Sequence, residues 1–495
     1  MGTTRAQRLL KGFTRGWRRP GSASPRFLAA ALVFALVLVA CGDADPDEPA
    51  DDAPATNDDA GNADAEPGAD DGDFTDLAGA YDGETIRIIM IQDPWVNAFA
   101  DINPVFEELT GARVEIDAFG YDDTYANEVL AGSQGSEEYD IVVLDSPWIG
   151  QFAESGFVDD LTERIEADAD IVQYDDFVEV FQDVAEWDGM ITGIPFGAYF
   201  ITTHYRTDLF EEAGIDPPTT IEQWRDAAEL FTDNPDFPGM YGTALNNQRG
   251  APIGQAWFEY IWNFGGQPFA STFPGSPDPY ADMTPMFDSP ESIAVVEMFI
   301  EMLDFQPPGA ESFAWDERAT TFGVGQTAMV NAWSVRTPGF TDPDQSSVGD
   351  DFATTLFPHV EGVDPVPPVG GWLMGINSAI DDERKDRAWD YIKWFTSPET
   401  HKEFVLVGGP PSRVSTLQDP DVIAVQPWAE TLFESQALSY AEVRPRIPEA
   451  FEIIDTVGLH VSRAVQGEVT PEEAMAQANE EIATLLRNAG YELDD

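Results

Sequence analysis

Twelve of the thirteen tryptophans follow residue 40, and four of them, Trp95, Trp148, Trp333 and Trp372, sit at the ends of strand-like runs or beside Gly and Pro. An indole there can offer its flat apolar face to a ligand, although tryptophan is also often buried for packing alone. Asp145 closes the run Asp140-Ile-Val-Val-Leu, where a carboxylate can accept two charge-assisted hydrogen bonds; the competing reading is a solvated surface acid. Aromatic platforms beside carboxylates suit a molecule with apolar C–H faces and a rim of hydroxyls. Trp257 opens Trp-Phe-Glu-Tyr-Ile-Trp, whose aromatic face suits a core as well as a cleft. Covalent chemistry finds little support. The four histidines (His204, His359, His401, His460) have no metal-ligand spacing, and neither Gly-x-Ser-x-Gly, a phosphate loop nor a twelve-residue calcium loop occurs. No enzyme, metal or cofactor is expected. With 91 acids, a pair of carboxylates for glycoside hydrolysis remains the enzymatic alternative.

The elements needed to position these residues are legible. Residues 85–91 form a β-branched run, followed by Phe99, Ile102, Phe106 and Leu109 at helical spacing and Gly111 as a stop. Residues 113–119 alternate as a strand, and 140–144 read as a buried one. Strands separated by helices imply parallel pairing through crossovers, hence an α/β fold. Thr220 opens a helix with Trp224, Ala227, Ala228 and Phe231 on one face, and Thr470-Pro-Glu-Glu is a capping box with Pro at the first helical position, stopped by Gly490. Trp224, Trp389 and Trp394 lie in amphipathic stretches and read as core.

The only cysteine, Cys41, ends an apolar run of fourteen residues (27–40) that follows a basic opening. That run is too short to span a bilayer and has the form of an export signal. Leu-Val-Ala-Cys resembles a lipobox, which implies cleavage before Cys41 and lipid attachment to it. Residues 42–80 hold fourteen acids and no Lys or Arg, a composition that cannot build a core. As a tether they would reach roughly 35 Å. Seven of the 25 basic residues precede Cys41, leaving 18 against 91 acids. So acidic a surface, with lysines only at 385, 393 and 402, suggests a protein kept soluble in high salt, and it repels nucleic acid and anionic lipid surfaces.

The segment 140–161 (Asp-Ile-Val-Val-Leu-Asp-Ser-Pro-Trp-Ile-Gly-Gln-Phe-Ala-Glu-Ser-Gly-Phe-Val-Asp-Asp-Leu) resembles the extracellular solute-binding proteins of carbohydrate ABC importers, the group that includes maltose-binding protein. Four further segments resemble that family in the same order. They are Gly193-Ile-Pro-Phe running to Tyr205-Arg-Thr-Asp-Leu-Phe, Phe322-Gly-Val-Gly-Gln-Thr-Ala-Met before Trp333, Gly370-Gly371-Trp372-Leu-Met-Gly-Ile-Asn, and the helix 388–398. The resemblance covers nearly all of 84–487.

It implies a two-lobed type II periplasmic-binding-protein fold, each lobe a mainly parallel sheet flanked by helices, with ligand held in the cleft by lobe closure. The expected organisation is a signal peptide 1–40, a disordered acidic tether 41–82, lobe I from 83–194 and 353–395, and lobe II from 195–352 and 396–495. It further implies a lipid-anchored monomer on the outer face of the cell membrane that captures a mono- or oligosaccharide and delivers it to permease subunits. A polyamine or a glycerol phosphodiester is the rival cargo. Carried over from the family, Asp122, Tyr199, Gly371 and Arg413 join Trp95, Asp145, Trp148, Trp257, Trp333 and Trp372 as expected ligand-binding residues.

Overall fold

The computed structural model describes residues 74–493; the expected leader and the expected lipid-attachment residue Cys41 lie outside them. The described residues form nine strands: β1 Thr85–Ile91, β2 Arg113–Phe119, β3 Ile141–Asp145, β4 Glu186–Trp187, β5 Met190–Ile191, β6 Ile194–Arg206, β7 Met329–Trp333, β8 Phe352–Thr355 and β9 Val369–Ile376. Apart from the small β4–β5 hairpin they form one sheet in the order β2-β1-β3-β9-β6-β7, with β8 also on β6. Parallel pairing, expected to predominate, is found where β1 meets β2 and β3. The remaining pairs are antiparallel, because β6 and β9 are long strands that run against each other and against their other neighbours.

β6 organises the molecule. Its first half, 194–200, pairs with β9, and its second half pairs with β7 and β8. One continuous strand thus carries the chain from one half of the sheet to the other. Two expected lobe boundaries move as a result. β8 pairs with Thr203–Arg206 on the second half, so the return comes at β9 and not at 353. The helix Pro398–Leu406 stays against the first half beyond 395, because Phe404 packs on Phe99 of the helix Val96–Thr110 at 5.2 Å. The tether also ends sooner than 82. Leu77 is buried, Gly79 and Tyr81 donate backbone hydrogen bonds to Leu109 and Thr110 at 2.9 Å each, and the Tyr81 hydroxyl bonds Asp390. Three apolar side chains (Phe74, Leu77, Tyr81) pack there despite the acidic composition.

The local signals acted as physics requires. Thr220 caps Ile221–Phe231 in a capping box with Gln223, and Thr470 caps Pro471–Ala489 with Glu473. Trp224, Trp389 and Trp394 are buried in the core.

Candidate functional site

The carboxyl ends of β1, β3 and β7 and the glycine-rich start of β9 converge on a half-open cavity of about 50 Å³. At its base Asp145 ends β3 and caps the short turn Ser146–Trp148, accepting the Ser146 amide at 2.8 Å. Arg444 grips the same carboxylate with both terminal nitrogens, each at 2.8 Å, and also donates to Ser146 Oγ at 2.9 Å. The Tyr121 hydroxyl donates to Asp145 at 2.7 Å and accepts from Gln255 Nε2 at 3.0 Å. Burial, then the charge of Asp145, holds the Tyr121 phenol well above its usual range. Burial opposes the charge on Arg444, but Asp145 and Tyr121 outweigh it and raise its pKa. A two-pronged ion pair of this kind fixes orientation more than it adds stability.

The walls are aromatic. Trp372 stands opposite Asp145 in register and is braced from behind by Trp148 and Trp95, with ring centres 5.5 and 6.4 Å away. Trp333 meets Tyr199 edge-on at 5.4 Å, and Trp315 lies 5.5 Å from Tyr121. Gly370 lets those walls close, since a Cβ there would lie 2.9 Å from the Trp333 ring and 3.0 Å from Tyr199.

A second charged pole faces the first. Asp93, in the loop after β1, lies 3.4 Å from Arg336, in the turn after β7, and Arg336 also reaches Asp316 at 2.9 Å. Burial pushes the Asp93 carboxyl up to about 6, Arg336 pulls it back, and Asp316 adds to the rise. Four buried atoms of cavity-lining residues have no hydrogen-bond partner: Trp372 Nε1, Arg336 Nε, Arg444 Nε and Asp93 Oδ1. Three are donors and one is an acceptor, a set that a molecule bearing hydroxyls can satisfy because each hydroxyl both donates and accepts. Among the described residues no cluster of His, Cys, Asp or Glu could hold a metal ion.

Of the residues expected from sequence, Asp145, Tyr199, Trp333 and Trp372 line the cavity. Six do not. Trp95 and Trp148 are buried behind Trp372, and Trp257 packs on Phe258 and Phe287. Gly371 faces away, where a Cβ would meet the Gly197 carbonyl at 2.1 Å. Asp122 is exposed at the start of its helix, one residue past the cavity-lining Tyr121. Arg413 is fully buried elsewhere, donating to the carbonyls of Thr396 and Val172 at 2.7 Å each and stacking over Phe177, so it braces the fold. The sequence reading missed Asp93, Tyr121, Gln255, Trp315, Arg336 and Arg444. Asp93 and Tyr121 carried a usable signal, standing just past strands β1 and β2. Arg444-Pro-Arg446 carried a weaker one, as two cations close together in a chain poor in them.

Known proteins agree with this architecture. A solute-binding protein of an ABC transporter from Agrobacterium radiobacter K84, solved in complex with ribitol, superposes with a TM-score of 0.76 at 31% identity, covering 82% of this chain and 99% of that one. A mannitol-binding protein of Pseudomonas aeruginosa is 27% identical over 64% of this chain and 74% of its own length. A probable amino-acid ABC transporter periplasmic-binding protein of Sinorhizobium fredii is 25% identical over 84% of this chain and 92% of its own. The architecture is therefore the two-lobed type II binding-protein fold. The family described as bacterial extracellular solute-binding protein matches residues 91–402, and the chain belongs to it.

Proposed function

We propose that this receptor captures a small neutral polyol or monosaccharide and hands it to an ABC importer. The role is binding and not catalysis, as throughout the family. One observation carries the choice of ligand: an aromatic cavity whose lining residues keep three donors and one acceptor without a hydrogen bond, the acceptor held only by the charge of Arg336, a set that matches hydroxyl groups. The ribitol of the Agrobacterium relative and the mannitol of the Pseudomonas one fit the same reading. A space of about 50 Å³ holds on the order of four water-sized groups, fewer than the heavy atoms of one sugar unit, so the cavity must widen to take a single unit and far more to take the oligosaccharide also expected from sequence. Two arginines in the wall disfavour a polyamine, and the pairing of each with a carboxylate leaves no free cation for a phosphodiester.

Attachment to the membrane through lipid on Cys41, monomeric state and delivery to a permease complete the proposal. They rest on the leader, the acidic tether and the family. The test of the cargo is a thermal-shift screen of the purified protein in high salt against polyols, monosaccharides, maltose, spermidine, glycerophosphocholine and amino acids, with chemical recovery of every hit. Saturable stabilisation by a polyol or monosaccharide, recovered unchanged, supports the reading. Stabilisation by amino acids alone, or cleavage of a sugar, refutes it. For the anchor, Cys41→Ser should release the protein from cells into the medium.

A further inference from the structure

Asp93, Val335 and Arg336 line two spaces at once. Inward lies the small cavity; outward lies a vestibule of about 630 Å³ whose wall includes Asn97, Asp316 and Gln345. We propose that Asp93, Val335 and Arg336 form a partition that sets the greatest length of solute the receptor holds, and that removing it joins the two spaces and admits a ligand one hexose longer. The inference rests on the polyol or monosaccharide reading and concerns the specificity of that same site.

The partition differs in build from the other walls. Trp372, Trp333 and Tyr199 are braced by rings or by strand backbone, whereas the partition is two side chains reaching toward each other from the loops after β1 and β7. Arg336 is held in place by Asp316 on the vestibule side at 2.9 Å and meets Asp93 at 3.4 Å. Arg336 Nε and Asp93 Oδ1 make no hydrogen bond, so charge and not a complete bonding network holds the pair. A ligand pocket of ordinary size has a volume of roughly 300–1,000 Å³. The vestibule falls within that range and the cavity far below it, so the room for a longer solute lies on the vestibule side of the partition. Specificity by exclusion needs only such an obstacle.

The test compares the full chain with a double variant, Arg336→Ala plus Asp93→Asn, which removes the partition without leaving a buried carboxylate unpaired. Val335→Ala serves as a second, gentler opening should the double variant melt early. Ribitol and D-glucose are the short probes, with maltitol and maltose one hexose longer, all titrated by calorimetry. A readout free of ligand accompanies them: hydrogen exchange of the Trp372 indole N–H followed by NMR, with the buried and unpartnered Trp224 indole as internal control. The unaltered protein should bind a long probe at least about 100-fold more weakly than its short counterpart, and the variant should narrow that ratio by about tenfold or more. Trp372 exchange should quicken while Trp224 stays as it was. A ratio that does not move, or long probes bound as tightly as short ones by the unaltered protein, overturns the proposal. If no probe binds either protein, the sugar reading falls and indole exchange alone decides: faster at Trp372 upholds the partition, unchanged removes it.

Discussion

Arg444 and Asp145 form a buried pair in which each side chain is only 4% exposed, and such a pair is costly to halve. Arg444→Ala leaves the Asp145 charge without its main partner and should lower stability by about 3–5 kcal/mol. Replacing both residues, as Arg444→Met with Asp145→Asn, should recover most of that loss while binding stays weak. Chemical denaturation beside calorimetry separates the two effects. Asp93 gives a prediction with a pH signature. Its carboxyl rises from 3.8 to about 6 on folding, so the native state holds a proton that the unfolded chain gives up. Stability contributed by that proton is present at pH 4, declines as pH rises, and is gone above about 6; a shift of that size amounts to about 3 kcal/mol. Asp93→Asn cannot lose the proton, so its melting temperature should gain on that of the unaltered protein between pH 4 and 7 and then run parallel. A gap that stays constant, or closes, would count against the buried placement of Asp93. Residues at strand ends were legible because the strand itself announces them, as with Asp145, Trp333 and Trp372. Arg444 was not, because its partner lies 299 residues away and it comes from irregular chain between two helices.

At the scale of elements, two adjacent glycines in β9 do different work. Gly371 packs against the Gly197 carbonyl and the Phe181 ring, where a Cβ would come within 2.1 and 2.3 Å. Gly371→Ala should therefore reduce folded yield, because the Gly197 carbonyl belongs to strand backbone and cannot easily give way. Gly370→Ala meets only the movable rims of Trp333 and Tyr199, so the fold should survive and ligand affinity should fall by about tenfold, read by calorimetry. The first strands, the capped helices and the core tryptophans were legible in the sequence because each follows a local rule. The mixed pairing of the sheet was not. β6 reads as one strand of thirteen residues, apolar over 194–201 and ending Thr-Thr-His-Tyr-Arg, and nothing in that run says that its halves join different partners. The helix Pro398–Leu406 was misplaced for a related reason: its docking depends on Phe99, some three hundred residues earlier.

For the molecule as a whole, the formal charge of -66 sets the conditions under which the fold is stable. Among the described residues most cations are already committed to ion pairs, as at Arg384 with Asp140 and Lys385 with Asp159, so the excess carboxylates repel one another with little relief at low salt. The melting temperature should climb as sodium chloride is raised from 0.1 M, where the screening length is about 10 Å, to molar levels, where it is about 3 Å. A melting temperature indifferent to salt would remove the halophilic reading and leave the site untouched. On the proposed reading, polar groups at both poles and the aromatic walls of one cavity, once widened, hold a single sugar-sized solute. A crystal structure of the protein with the solute that stabilises it most tests this directly. Electron density is expected beside Trp333 and Trp372, with hydroxyls bonded to Arg444, Trp372 and Asp93. Density on the outer surface, or a ligand that leaves those groups unpaired, would contradict it.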